Sequence, residues 1–210
     1  MIQEDDSVTE PTPVEATDAV VVDIVGRFAE DKTYEDGPIF QEVQDWLVVI
    51  GEKDVLPALE MGIRFMKVGQ RAVVWSHSKF AYGPGSRKHG DYVLPPESNV
   101  RYEVTVKSVA SSDPVVNEPS FQIKIALSKK AIGNDVYVHE WADGYGKVRA
   151  KMLYQRAADM MDYLFQTVNQ DDDEAVRKEA MEVMLDCLNN IAAVHLRAKD
   201  FHQAKEAAVK

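Results

Sequence analysis

The fold of this chain is decided by residues 51–83, GEKDVLPALEMGIRFMKVGQRAVVWSHSKFAYG. Four of their apolar residues recur at the three- and four-residue spacing of one helix face: Leu56, Leu59, Ile63 and Met66. Pro57 suits the first turn of that helix, and Gly69 predicts its C-terminal end. Residues 72–75 then predict a short strand, and residues 81–85 predict a loop that carries an aromatic side chain. The stretch therefore predicts one short amphipathic helix, a strand and an aromatic loop.

Three further strands are predicted around this unit. Residues 19–28 and 45–50 are rich in valine and isoleucine, and residues 100–109 alternate apolar with polar side chains as a half-buried antiparallel strand does. Residues 29–44 are charged and interrupted by glycine and proline, so we expect a connection there. Within the first strand, Gly26 marks a bulge or a close approach of another residue.

The composition limits the class of protein. The formal net charge of −11 argues against nucleic acid or an anionic membrane surface as the main partner. The single cysteine, Cys187, excludes an internal disulfide, favours a reducing compartment and is expected to be buried and inert. Every apolar run is shorter than the roughly 18–20 residues that cross a bilayer. We therefore expect a cytoplasmic or nuclear protein with no membrane segment in this chain.

The character of the sequence changes along the chain. Residues 1–17 are acidic and predict a disordered leader. We expect an α+β domain over residues 18–112, a linker over residues 113–119 and an all-α domain over residues 120–210. In the last of these, helical segments separated by short breaks are predicted at 120–141, 146–168, 174–197 and 201–210.

Several landmarks of the first domain occur together, in a fixed order. They are G-x-x-x-V-L-x-A-L-E-x-G-I-x-x-M-x-V-G-Q-R-A from Gly51, A-Y-G at 81–83 and L-P-P at 94–96. In these landmarks the chain resembles the FKBP family of peptidyl-prolyl cis-trans isomerases, the immunophilins. The resemblance implies a curved antiparallel half-barrel that wraps one short helix. It also implies isomerisation of X-Pro bonds in protein clients without a cofactor or metal, and weak binding of tacrolimus-type macrolides.

The same resemblance implies ten residues around the prolyl pocket: Tyr34, Glu35, Trp46, Val55, Leu56, Leu59, Tyr82, Val93, Leu94 and Tyr102. By the family pattern, the hydroxyl of Tyr82 binds a substrate carbonyl, and its small neighbours place it at an exposed rim. The alternative for Trp46, Leu59 and Tyr102 is that they are core residues of the half-barrel.

Three positions depart from the family pattern. Leu59 stands where the family has a tryptophan, Ile24 replaces a tyrosine, and Glu35 lengthens an aspartate. Each of the first two changes removes about 1–3 kcal/mol of substrate packing, which is up to a hundredfold in rate. We therefore expect a weak isomerase, and a non-catalytic FKBP-like interaction scaffold is the alternative.

The second domain resembles two tetratricopeptide (TPR) repeats, helix–turn–helix units that stack into a groove. The resemblance rests on K-K-A-I-G-N-D-x-Y at 129–137, A-x-x-x-Y-x-x-A at 150–157 and C-L-N-N-I-A-A at 187–193. A third repeat is missing, which suggests a truncated product or a fragment. In residues 56–60, 78–84 and 187–193 the sequence is most similar to the membrane-anchored animal FKBPs that bind Bcl-2-type proteins, whose anchor is absent from this sequence.

TPR co-chaperones bind a C-terminal carboxylate through lysine and asparagine donors. The resemblance assigns Lys130, Asn134 and Asn190 to such a clamp and the tail of a 90-kDa heat-shock chaperone as its partner. The alternative is a solvated lysine and a helix-packing amide. Residues 86–89 (SRKH) form a basic spot, interpreted as a solvated loop rather than a contact for an acidic substrate.

Overall fold

An antiparallel sheet forms the N-terminal half of the computed structural model, which describes residues 12–33, 35–89, 91–140, 145–168 and 174–209. Four of its strands lie in the order β2-β1-β6-β3, and a two-stranded ribbon pairs β4 with β5. Their bounds are β1 Asp18–Phe28, β2 Ile39–Val49, β3 Arg71–Ser76, β4 Arg87–His89, β5 Tyr92–Leu94 and β6 Val100–Ser111. All pairs are antiparallel, which fits the alternation of apolar and polar residues in β6.

The predicted helix is helix α1, Pro57–Arg64, and it buries Ala58, Leu59 and Ile63. Its C-terminal end is earlier than predicted, because the N–H groups of Phe65 and Met66 already close the last turn onto the carbonyls of Gly62 and Ile63. Gly69, with φ +82, instead serves the turn that leads into β3. Met66 stays in the core although it lies outside the helix.

Strand β2 is longer than predicted, because residues 39–44 belong to it rather than to a connection. The alternation along β2 is interrupted at Asp45, which has φ +50 at the register shift opposite Val22 and Ile24. The N–H of Asp45 donates to Asp23 Oδ1 at 2.8 Å, so a side chain holds this bulge. This break in the period-two pattern explains why the sequence predicted only the second half of the strand.

The last residues of the predicted leader are ordered against the sheet, contrary to the expectation of disorder. Pro13 forms a bridge with Lys67, and the N–H of Val14 donates to the Met66 carbonyl at 3.2 Å. Val14 is buried in the core. Residues 1–11, the rest of that predicted leader, lie outside the described residues.

Helices fill the C-terminal half as predicted, with ends that differ from the predicted ones by at most two residues. They are α2 Pro119–His139, α3 Tyr145–Thr167, α4 Glu174–Arg197 and α5 Phe201–Val209. Successive helices pack against each other, and α2 also contacts α4 and strand β2. The predicted fold class, an antiparallel α+β part followed by helices, is confirmed; the boundaries at 112 and 120 stay predictions.

One apolar core runs through both halves, from Val20 in the sheet to Val194 in α4. A polar contact also joins the two halves. Lys129 of α2 donates to both carboxylate oxygens of Asp54, in the loop before α1, at 2.9 and 3.0 Å. Within the described ranges, no helix is long and apolar enough to span a bilayer.

Candidate active site

Six of the ten predicted pocket residues surround one small cavity between the sheet, α1 and α2. They are Trp46, Val55, Leu56, Leu59, Tyr82 and Tyr102. Strand β2 contributes Trp46, the segment leading into α1 contributes Val55 and Leu56, and β6 contributes Tyr102. Leu59 lies on the buried face of α1, where the helical spacing placed it. The structure therefore brings together residues that are up to 56 positions apart in the sequence.

Two tyrosines contribute hydroxyl groups to this cavity. The hydroxyls of Tyr82 and Tyr102 are 3.3 Å apart, and the Tyr102 hydroxyl donates to Gln41 Oε1 at 3.2 Å. Phe40 packs edge-to-face against both rings, with centroids 5.8 and 5.7 Å away. Gly26 leaves room for this arrangement, because a Cβ there would lie 2.7 Å from Tyr102 Cε1. The close approach predicted at Gly26 is thus present.

Tyr82 is more enclosed than the expected exposed rim, because it is partly buried between Phe40, Arg87 and Tyr102. Burial raises the pKa of Tyr82 to about 12 and the pKa of Tyr102 well above its ordinary range. Both phenols therefore stay neutral at physiological pH, and each retains a proton that it can donate.

Charged residues close the cavity on the side of α2. The Arg87 guanidinium donates to Glu140 Oε1 at 2.6 Å and to Asp135 Oδ2 at 2.5 Å. The other oxygen of Glu140 accepts a hydrogen bond from Arg149 at 2.9 Å. Arg87, Glu140 and Arg149 are all buried, and the guanidinium of Arg87 lies 5.7 Å from the centroid of the Tyr82 ring. The interpretation of residues 86–89 as a solvated loop is therefore wrong for Arg87.

Among the described residues, three of the predicted pocket residues do not line this cavity, and a fourth cannot be compared. Tyr34 lies outside the described residues. Glu35 is largely exposed, with an oxygen 4.0 Å from Arg101. On β5, Val93 is exposed and Leu94 is buried in the core. Ile24, the departure on β1, is a buried core residue of the sheet.

A family comparison identifies the part of the chain that holds this cavity. Residues 10–107 match the family of FKBP-type peptidyl-prolyl cis-trans isomerases. They form an FKBP-type domain. The match covers all six cavity residues named above, and it ends before α2 begins.

The similarity to two curated proteins extends beyond this domain into the helical part. The chain is 25% identical over 159 residues to FK506-binding protein 5 of Rhizopus delemar, covering 76% of this chain and 37% of that protein. It is 30% identical over 187 residues to peptidyl-prolyl cis-trans isomerase FKBP42 of Arabidopsis thaliana, covering 83% of this chain and 45% of that protein. The chain thus spans less than half the length of these two relatives.

A solved structure of a multi-domain immunophilin from Arabidopsis thaliana also resembles the chain. The identity is 21% and the TM-score is 0.37, with 95% of this chain and 76% of that chain covered.

Sequence reasoning missed the residues that α2 and its neighbours add to the cavity of the FKBP-type domain. They are Gln41, Arg87, Ile132, Asp135, Val136, Glu140 and Arg149. Ile132, Val136 and Glu140 are four residues apart, so the helical period puts them on one face of α2 and its C-terminal end. It could not show that this face covers a cavity in a different part of the chain.

Two of the predicted clamp residues, Lys130 and Asn134, lie on a different face of α2, and the third, Asn190, lies on α4. Asn134 Oδ1 accepts hydrogen bonds from the Tyr154 hydroxyl at 2.8 Å and from Asn190 Nδ2 at 3.2 Å. Lys130 Nζ is 2.8 Å from Asp186 Oδ2. The three predicted clamp residues are therefore close together. Among the described residues, no cluster of histidine, cysteine, aspartate or glutamate could hold a metal ion.

Proposed function

We propose that this chain is a peptidyl-prolyl cis-trans isomerase of low turnover that acts on X-Pro bonds of protein clients. The observation that carries the proposal is the convergence of Trp46, Val55, Leu56, Leu59, Tyr82 and Tyr102 on one cavity in an FKBP-type domain. We place the activity in the cytosol or nucleus.

The chemistry requires no nucleophile. The barrier to rotation about a prolyl bond is about 18–20 kcal/mol, because the amide loses its conjugation as it twists. An apolar site favours the twisted amide, in which charge separation has fallen, over the planar one. Trp46, Val55, Leu56 and Leu59 provide apolar walls of this kind.

The tyrosine pair provides the donor that orients the substrate. Because the Tyr102 hydroxyl donates to Gln41, its oxygen accepts the proton of Tyr82 at 3.3 Å when no ligand is bound. A substrate carbonyl that reaches Tyr82 takes the place of that acceptor. The raised pKa of Tyr82 keeps the proton available up to strongly alkaline pH.

A protease-coupled assay with an X-Pro peptide tests this function. We expect slow turnover that tacrolimus inhibits, and a tenfold or larger loss in Tyr82→Phe because the donor is gone. The matched control is Tyr163→Phe, a tyrosine on α3 that is largely exposed and lies outside the cavity. Binding of tacrolimus without turnover in the wild type would instead support the second candidate, a non-catalytic scaffold, which Leu59 and Ile24 favour.

We also propose that the helical part docks the C-terminal tail of a heat-shock chaperone in the manner of TPR domains. The support is the proximity of Lys130, Asn134 and Asn190, whose ammonium and amide groups can donate to a terminal carboxylate. A titration with an MEEVD-type peptide and with its C-terminal amide tests this. Equal binding of the two peptides would refute the clamp, because only the free acid presents the carboxylate.

A further inference from the structure

We propose that helix α2 is an internal occupant of the isomerase cavity, so that prolyl ligands bind only after α2 has moved off it. This inference rests on the proposed isomerase function of that cavity. With α2 in place, the cavity has a volume of about 10 Å³. A space of about 10–15 Å³ holds one water molecule, whereas ligand pockets measure about 300–1,000 Å³. A prolyl ring therefore has no room in this arrangement.

The α2 residues that line the cavity make the same kind of apolar contact that a prolyl ligand would make. Ile132 and Val136 are one turn apart and both buried, and they line the cavity together with Leu56 and Leu59. Branched aliphatic side chains offer these walls the same kind of apolar contact that a proline ring would make. The FKBP-type family match ends at residue 107, so this occupant comes from outside the domain that it closes.

Arg87 and Glu140, which are buried, and Asp135, which is partly exposed, hold α2 in this position. Arg87 donates to Glu140 and Asp135 of the α2 segment, and it also faces the Tyr82 ring. Arg87 thus links the tyrosine of the proposed site directly to the helix that covers it. When one partner of a buried ion pair is removed, the remaining charge is left uncompensated. The closed arrangement should therefore depend on these two carboxylates more than on exposed charges of the same region.

The closed arrangement weakens the apparent affinity for a prolyl ligand by an amount that can be calculated. If only a fraction of the molecules has the cavity open, the apparent Kd is the intrinsic Kd divided by that fraction. A variant that weakens the hold of Arg87 on α2 raises the open fraction, so it tightens binding although it changes no residue that would touch the ligand.

The test compares the full-length wild type with the double variant Asp135→Asn/Glu140→Gln. Both substitutions keep the shape of the side chain and neutralise the carboxylates that face Arg87, together with the pairs of these carboxylates to His139 and Arg149. Asp186→Asn is the matched control, because it neutralises a carboxylate paired with Lys130 on another face of α2. In a tacrolimus titration we expect at least tenfold tighter binding for the double variant and a change below about twofold for the control.

Hydrogen exchange of the α2 amides gives a second measurement. Its response to the ligand would not change if these carboxylates had only a structural role. Saturating tacrolimus should speed exchange in residues 132–139 of the wild type, because the ligand displaces the helix. If the double variant does not fold, Glu140→Gln alone retains Asp135 on Arg87, and about threefold tighter binding is expected.

Two results would overturn this proposal without refuting the isomerase function, and a third would refute both. One is equal tacrolimus affinity of the wild type and the folded double variant; turnover by both proteins at the same rate would then leave the isomerase function standing. The other is tacrolimus binding to the wild type with unchanged exchange in α2. A double variant whose α2 exchanges faster, but which neither binds tacrolimus nor isomerises the peptide, would refute the isomerase function together with the occupancy.

Discussion

Two faces of α2 carry charged residues in opposite environments. Towards the FKBP-type domain, Lys129 is 1% exposed and pairs with Asp54, which is equally buried. Towards α4, the neighbouring residue Lys130 is 21% exposed and pairs with Asp186, which is 61% exposed. Water screens the second pair but not the first. The pair on the first face therefore favours the arrangement in which α2 packs on the domain. The charges on the second face can exchange their partner for a ligand at little cost.

Substitution of each of the two adjacent lysines tests most directly whether the two faces differ in stability. Lys129→Met leaves Asp54 buried without its cation, so we expect a loss of about 3–5 kcal/mol in the free energy of unfolding. Lys130→Met is the matched control and should cost about 0.2–1 kcal/mol. Urea denaturation of both variants measures the difference. A loss below about 1 kcal/mol for Lys129→Met would show that the two faces are energetically alike.

The buried side also predicts a dependence on alkaline pH. Because the folded pKa of Tyr82 is about 12 and its ordinary value is about 10, its contribution to stability is complete below pH 10 and is lost between pH 10 and 12. The loss should be about 1–2 kcal/mol at pH 12, since part of the ring is exposed. Urea denaturation across this pH range should show a shallower decline in Tyr82→Phe than in the wild type. Parallel declines would contradict the enclosure of this hydroxyl.

For the exposed face of α2 we expect a smaller effect, on the affinity for a peptide. Asp186→Asn removes the anion that competes for Lys130, so an MEEVD-type peptide should bind about two- to fivefold more tightly. Isothermal titration calorimetry measures the change, and Glu103→Gln, which removes a carboxylate paired with Arg101 in the sheet, serves as the control. Weaker binding in Asp186→Asn would mean that Asp186 orients Lys130 rather than competing for it.

The smallest expected effect concerns Cys187, which lies buried in α4. Burial raises the pKa of its thiol to about 12, so almost no thiolate exists at pH 8. Iodoacetamide should therefore leave the native protein unlabelled at pH 8 and label it in urea. Rapid labelling of the native protein would show that α4 opens readily.

Local patterns in the sequence predicted much of the fold but less of the site. The spacing of Leu56, Leu59 and Ile63 predicted a helix, and its buried face supplies Leu59 to the cavity. By contrast, the residues that flank Arg87 in the sequence predict an ordinary exposed loop. Its burial depends on Glu140, which is 53 positions away. Contacts of this kind are set by how the two halves pack, and no local period encodes that packing.

The core that runs from the sheet into α4 has a consequence for how the protein melts. Because α2 completes the packing of both halves, neither half can lose its structure without exposing apolar surface of the other. Scanning calorimetry should therefore record a single cooperative transition, in which the calorimetric and van't Hoff enthalpies agree.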